Sequence, residues 1–318
     1  MSKIILVSGD PNSINSEIIA KSWSKIDQKI KKKIVLITNF DLISDQFKKL
    51  KYKISLNKID TLNNDISDNK INILNMKLNF KNSFNVPKKN ASKFVQDCLI
   101  KAHSLNIKNN LKGLINCPVS KELLPDNTGV TEFLAKKCKV KNHKETMLIH
   151  NSFISVCPIT THINIDKISK NISKKKIINK VLTIDLNYRK LFKKKPRFGI
   201  LGLNPHNAEL RENSEEKKII IPAIKTLKSF KINVCGPIVP DTAFIDEYKK
   251  YNVIVGMYHD QVLTPFKSLY KFNAINLTLG LKYFRMSPDH GVAKDIVGKK
   301  IADPKSLLEC IRFLNKYC

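Results

Sequence analysis

Short apolar, β-branched runs alternate along this chain with longer segments whose apolar positions recur every three to four residues. The runs at 3–9 (KIILVSG), 32–39 (KKIVLITN), 113–119 (GLINCPV), 152–160 (SFISVCPIT), 196–204 (PRFGILGLN), 232–239 (INVCGPIV), 252–258 (NVIVGMY) and 272–280 (FNAINLTLG) predict strands bounded by turn residues. Between them, 16–26, 91–105, 165–188, 215–230 and 303–317 carry helical periodicity. The alternation predicts an α/β protein on a largely parallel sheet. The stretch from Lys49 to Lys89 is polar and irregular and predicts no element. No Pro/Gly/Ser linker marks a boundary, so any division of the chain must pass through ordered connections.

The length, 318 residues, suggests about two domains and is ample for a core without staples. Hydrophobic residues make up 42% and charged ones 26%, which excludes a disordered chain. No apolar run reaches the ~18 residues of a membrane span. The opening MSKIILVSGDPNS is too briefly apolar for a signal peptide and reads as a first strand. Seven Cys without a CxxC predict reduced thiols, hence a cytoplasmic protein. Lys plus Arg outnumber Asp plus Glu by 57 to 27, a net charge of +30. That alone suggests a nucleic-acid partner. But the Lys is scattered among Asn and Ile, with no interleaved aromatic stripe, so we expect a compositional bias on an ordinary surface and no nucleic-acid partner.

Chemistry enters at the strand ends. His162, His206 and His259 each close or follow a predicted strand, and Asp241 follows another. In a parallel sheet those ends share the edge where ligands bind. Three imidazoles with an open position suit a catalytic divalent metal. His103 falls in a predicted helix and His143 in a Lys-rich loop, away from that edge. Lys267, Asn276 and Arg285 lie near the same edge and suit an anionic substrate. There is no GxGxxG. The loop GDPNSINSE (9–17) has one Gly and is weak evidence for a phosphate site. The segment SPDHGVAKDIVGKKIADP (287–304), with His290, Gly291, Ala293 and Asp295, could wrap an adenosine, its carboxylate on ribose hydroxyls.

Together these motifs resemble the 4-hydroxythreonine-4-phosphate dehydrogenase family of vitamin B6 biosynthesis. The resemblance runs nearly end to end, through INCPVSKELL, GVTEFLA, TTHINI, GLNPHNAE, PDTAF, YHDQVLTPFK, INLTLGL and SPDHGVAKDIVGK. It implies two α/β/α subdomains of the isocitrate/isopropylmalate dehydrogenase-like type, with the active site in the cleft between them. We expect residues 1–126 plus 277–318 to form the cofactor subdomain and 127–276 the metal-binding and dimerisation subdomain. It implies one divalent metal on His162, His206 and His259, with Asp241 a further contributor. It implies substrate contacts from Thr131, Lys267, Asn276 and Arg285, and NAD, with NADP as an alternative, on His290, Gly291, Ala293 and Asp295. It also implies a homodimer with a shared active site and no membrane association. Lys121, Asp241 and Lys267 are candidates to take the substrate proton.

Three departures stand out. Val130 replaces a family His that touches substrate. Asn12, Ser13, Asn15 and Ser16 replace small, rigid residues of the first loop. INCPVSK replaces a more usual TAPINK. Either the lineage has drifted and kept its activity, or its substrate has shifted to phosphorylated threonate or erythronate. A non-enzymatic basic protein is the remote alternative. The intact metal- and anion-binding residues favour drift.

Overall fold

The computed structural model describes residues 3–62, 66–109, 111–140 and 144–317, so His143 lies outside the described residues. The chain divides into two units: Met1–Lys139 with Leu281–Cys318, and Val140–Gly280. In chain order the first unit supplies β1 (Ile4–Val7), β2 (Ile34–Thr38), β3 (Leu56–Ile59), β4 (Ile71–Asn75) and β5 (Gly113–Asn116). The second supplies β6 (Thr146–His150), β7 (Ser155–Thr160), β8 (Phe198–Leu201), β9 (Val234–Ile238), β10 (Val253–Tyr258) and β11 (Ile275–Leu279). The chain then returns to the first unit with β12 (Arg285–Pro288). Among the described residues no helix is long and apolar enough to cross a membrane.

In the first unit the strand order is β3-β4-β2-β1-β5-β12, all parallel. β1 (IILV) and β2 (IVLIT) are buried at every position. Their unbroken apolar sequences follow, because a parallel sheet is covered on both faces. Phe94, Val95, Cys98, Leu99 and Ala102 of the helix Lys88–Asn109 pack into one core with Ile5, Val7, Val35 and Ile37. β3 and β4 occupy the stretch that predicted no element. β3 is an edge strand whose Asn57 Nδ2 donates to Asn72 Oδ1 of β4 at 2.8 Å, a polar pairing that hydrophobic periodicity does not register.

The second unit orders its strands β11-β6-β7-β10-β8-β9. β7, β10, β8 and β9 run parallel, while β6 is antiparallel to both its neighbours. The pairings are therefore largely parallel, as sequence predicted, with β6 the antiparallel exception. The helix predicted over 165–188 breaks at Ile172–Ser173. Ser173 is extended, and its side chain accepts from Lys176 N at 3.2 Å to cap Lys174–Phe192. A Ser three residues ahead of the capped N–H is an ordinary N-terminal signal. The helix His259–Tyr270 forms despite Pro265 within it.

Candidate active site

The three candidate metal ligands sit at the ends of β7, β10 and β8, which are neighbours in the sheet. His162 follows β7 with φ 46°, and His259 opens the helix after β10. Their ring centroids lie 5.6 Å apart. His206 follows β8 in a left-handed turn, with φ between 48° and 55° from His206 to Leu210. Such backbone costs ~1–2 kcal/mol per non-glycine residue and persists only where its surroundings hold it.

Those surroundings are polar and buried. Glu216 is fully buried (0% exposed); its Oε1 accepts from Leu203 N at 2.7 Å and Asn204 N at 2.9 Å. Its Oε2 accepts from Asn204 Nδ2 at 3.0 Å. Burial raises its pKa, but hydrogen bonds from Asn204, from its own N–H and from Leu203 outweigh that and leave it lowered. Asn207 Nδ2 donates to Pro237 O at 3.1 Å. Two further bonds cross between strand ends. Thr160 Oγ1 of β7 donates to Met257 O of β10 at 2.7 Å, and Gln261 Nε2 donates to Gly202 O beyond β8 at 2.7 Å.

His259 Nδ1 lies 2.6 Å from Asp260 Oδ1. A carboxylate on one ring nitrogen orients the imidazole and directs the other toward a ligand, a common support for metal-binding histidines. The donor chemistry thus fits a divalent transition ion. Geometry goes less far: among the described residues no group of three or more His, Cys, Asp or Glu side chains is arranged to hold a metal. His162 and His259 are brought together; His206 does not complete a cluster with them. Asp241 is exposed in the short helix Pro240–Ala243 after β9.

Of the expected substrate contacts in this unit, Lys267 is half-buried in the helix His259–Tyr270, its Nζ 5.8 Å from the Phe272 ring centroid. Asn276 lies in β11, and its buried Oδ1 has no hydrogen-bond partner among the described residues. Burying an acceptor unpaired is costly, so this oxygen has capacity for a ligand donor.

The first unit pairs the other two. Arg285, in β12 and 3% exposed, donates from Nε to Asn116 Oδ1 at 2.7 Å and from Nη1 to Thr131 Oγ1 at 3.1 Å. Burial pulls its pKa down to about 10, against an opposing pull from Glu132. It remains a cation at neutral pH. Val130, beside Thr131, is 9% exposed and packs into the apolar core. Lys121 is exposed at the start of a single 3₁₀ turn, Lys121–Leu123.

The two loops expected near a nucleotide also meet. Ile14 N donates to Val292 O at 3.3 Å, joining the 9–17 loop to the 287–304 segment. Glu17 Oε1 accepts from Ala302 N at 2.8 Å and from Lys21 Nζ at 2.7 Å, tying them again. Three of the four unusual polar residues of the first loop, Asn12, Ser13 and Asn15, have internal work. Asn12 exchanges two hydrogen bonds with the Val86 backbone, at 2.8 and 2.7 Å. Ser13 Oγ donates to Asp10 O at 2.6 Å, and Asn15 Nδ2 to Pro118 O at 2.8 Å. Side-chain bonds thus stiffen a loop that lacks small, rigid residues. His290 Nδ1 lies 3.0 Å from Gly291 O, Ala293 is left-handed at φ 46°, and Asp295 is exposed. Lys294 Nζ is held 2.8 Å from Glu122 Oε1. Gln261, Glu216 and Thr160 were not legible as site residues, because their partners are backbone atoms of other strand ends.

Residues 29–314 match the model of a family described as pyridoxal phosphate biosynthetic protein PdxA. A 4-hydroxythreonine-4-phosphate dehydrogenase of Sulfurihydrogenibium sp. is 34% identical over 98% of this chain and 97% of its own. A D-threonate 4-phosphate dehydrogenase of Pectobacterium atrosepticum is 29% identical over 96% of this chain and 97% of its own. Among solved structures, the 4-hydroxythreonine-4-phosphate dehydrogenase of Klebsiella pneumoniae superposes with a TM-score of 0.84 at 26% identity, covering 99% of both chains. An isocitrate dehydrogenase of Methylococcus capsulatus matches in fold, with a TM-score of 0.50 at 10% identity over 99% of this chain and 85% of its own.

Proposed function

The chain belongs to the PdxA family of pyridoxal phosphate biosynthetic proteins, and from that premise we propose that it oxidises 4-phosphooxy-L-threonine with NAD and a divalent metal. The product, 2-amino-3-oxo-4-phosphooxybutanoate, is a β-keto acid that loses CO2 to give 3-amino-2-oxopropyl phosphate. The observation that carries this reading is the placement of His162, His259 and His206 at three adjacent strand ends tied by Thr160 and Gln261.

His162, His206 and His259 would hold the metal, with Asp241 contributing. When bound, the ion would polarise the substrate hydroxyl as a Lewis acid, and the nicotinamide would accept the hydride. Lys267, Asn276, Thr131 and Arg285 would bind and orient the phosphorylated substrate. A cation under a phosphate supplies charge, and the Arg fork supplies direction. Lys121, Asp241 and Lys267 are the candidate acceptors of the hydroxyl proton. His290, Gly291, Ala293 and Asp295 would line the NAD site, and the protein would work as a cytoplasmic homodimer sharing its sites.

The test is NAD reduction by purified protein with 4-phosphooxy-L-threonine and added Zn, Mg or Co. We expect metal-dependent turnover, lost on chelation and restored by metal. Turnover with 4-phospho-D-threonate or 4-phospho-D-erythronate in its place would overturn the substrate assignment. Val130 favours neither outcome by its packing, since its side chain serves the core.

A further inference from the structure

Gln261 is the third residue of the helix His259–Tyr270, two positions after the candidate ligand His259. Its Oε1 accepts from Met257 N at 2.6 Å, and its Nε2 donates to Gly202 O at 2.7 Å. Both partners are backbone atoms of fixed polarity, so only one amide orientation satisfies them. The first bond resembles the reach of an N-terminal Gln back over its own helix start. The second does not: it spans 59 residues, from the end of β10 to the loop beyond β8 that bears His206.

The local sequence makes room for this bridge. A Cβ on Gly256 would meet Gln261 Oε1 at 2.8 Å, and one on Gly202 would collide with Asn207 Oδ1. Both glycines let side-chain oxygens come closer to the backbone than another residue would allow. On the far side of β10, Thr160 makes the matching bond from β7 to Met257 O. Met257 therefore accepts a cross-strand hydrogen bond at its carbonyl and donates its N–H to the Gln261 side chain. Glu216 anchors the start of the His206 loop through Leu203 N and Asn204 N.

We propose that Gln261 is a positioning residue that sets the spacing between the His259 and His206 strand ends, and through it the metal affinity of the site. This rests on the metal reading above. Gln261 itself touches no metal and no substrate in this role. Loss of such supporting partners typically weakens metal binding ~10–100-fold.

The experiment titrates Zn and Co into metal-free wild type, Gln261→Met, His206→Ala and Gln46→Met, and records the visible Co spectrum and thermal unfolding of each. Gln46 is the structural control: a buried amide of the first unit that donates to Pro11 O and Ser83 O. Gln261→Met should weaken metal binding ~10-fold or more and shift the Co bands. Gln46→Met should lose stability with affinity and bands unchanged. His206→Ala should lose binding outright. If His206→Ala loses metal while Gln261→Met keeps wild-type affinity and bands, Gln261 is not the positioning residue. If wild type and His206→Ala bind alike, or neither binds, the metal reading itself fails and the role assigned to Gln261 falls with it. Should Gln261→Met not fold, Gln261→Glu reads the same quantity. It keeps the acceptor for Met257 N–H and sets a carboxylate against Gly202 O.

Discussion

In the proposed function, cofactor choice would turn on two side chains. Asp295 is placed in the segment expected to meet the ribose of the nucleotide, where a carboxylate would accept from both hydroxyls and repel the extra phosphate of NADP. Lys294 beside it could cancel that repulsion, but its ammonium is engaged by Glu122 at 2.8 Å. We expect NAD to be preferred over NADP by at least ~10-fold in kcat/KM, about 1.4 kcal/mol. Asp295→Ala should narrow the ratio mainly by weakening NAD. Glu122→Gln should narrow it from the other side, by releasing Lys294 and improving NADP. Specificity constants for both cofactors on the three proteins check this; equal use of the two by wild type removes Asp295 from the ribose. At the same scale, Arg285→Lys should lower kcat/KM at least several-fold, because an ammonium cannot reproduce the paired bonds to Asn116 and Thr131. Steady-state kinetics across a substrate range reads it, and unchanged constants would make Arg285 a purely structural cation.

Elements differed in how far sequence revealed them. β1 and β2 were plain because both faces are buried and the residues are apolar throughout. β3 was hidden because an edge strand with exposed Lys58 and paired Asn57 keeps no apolar period. The strand-end histidines were legible because each follows an apolar run. The bonds that tie those ends were not, because a side chain's backbone partner many residues away leaves no periodic trace. The β6–β7 hairpin hid a titrating group as well. His150, at the end of β6, is half-buried, with Nδ1 2.8 Å from Ser155 Oγ and its ring 5.0 Å from that of Phe192. Burial pulls its pKa down to about 4. The unfolded chain takes up a proton near pH 6.5 that the native state refuses until about pH 4. Stability is therefore retained above pH 6.5 and falls as pH drops toward 4, by about 3 kcal/mol at the limit. Urea unfolding at pH 7 and pH 4.5 should show this loss, and His150→Asn should flatten the difference. An equal pH effect in the variant would assign the acid sensitivity elsewhere.

At the scale of the molecule, the proposed shared site predicts complementation between chains. An inactive His162→Ala chain mixed with an inactive Asp241→Ala chain should regain part of the activity if the two positions serve one site from different subunits. A fully active monomer at micromolar concentration would sink the shared site. The division of the chain carries a different consequence, one of timing. The second unit is a single stretch, Val140–Gly280, set between the two parts of the first. β5 lacks its β12 neighbour, and β1 and β5 lack the helix Lys305–Tyr317 beside them, until that later stretch is made. At roughly 5–20 residues per second, a ribosome spends many seconds making the second unit while the first waits incomplete. The nascent protein thus meets the cell with β5 holding an open, apolar edge, the kind of surface that chaperones guard and that aggregation exploits. The order of domains in space is not the order of their birth.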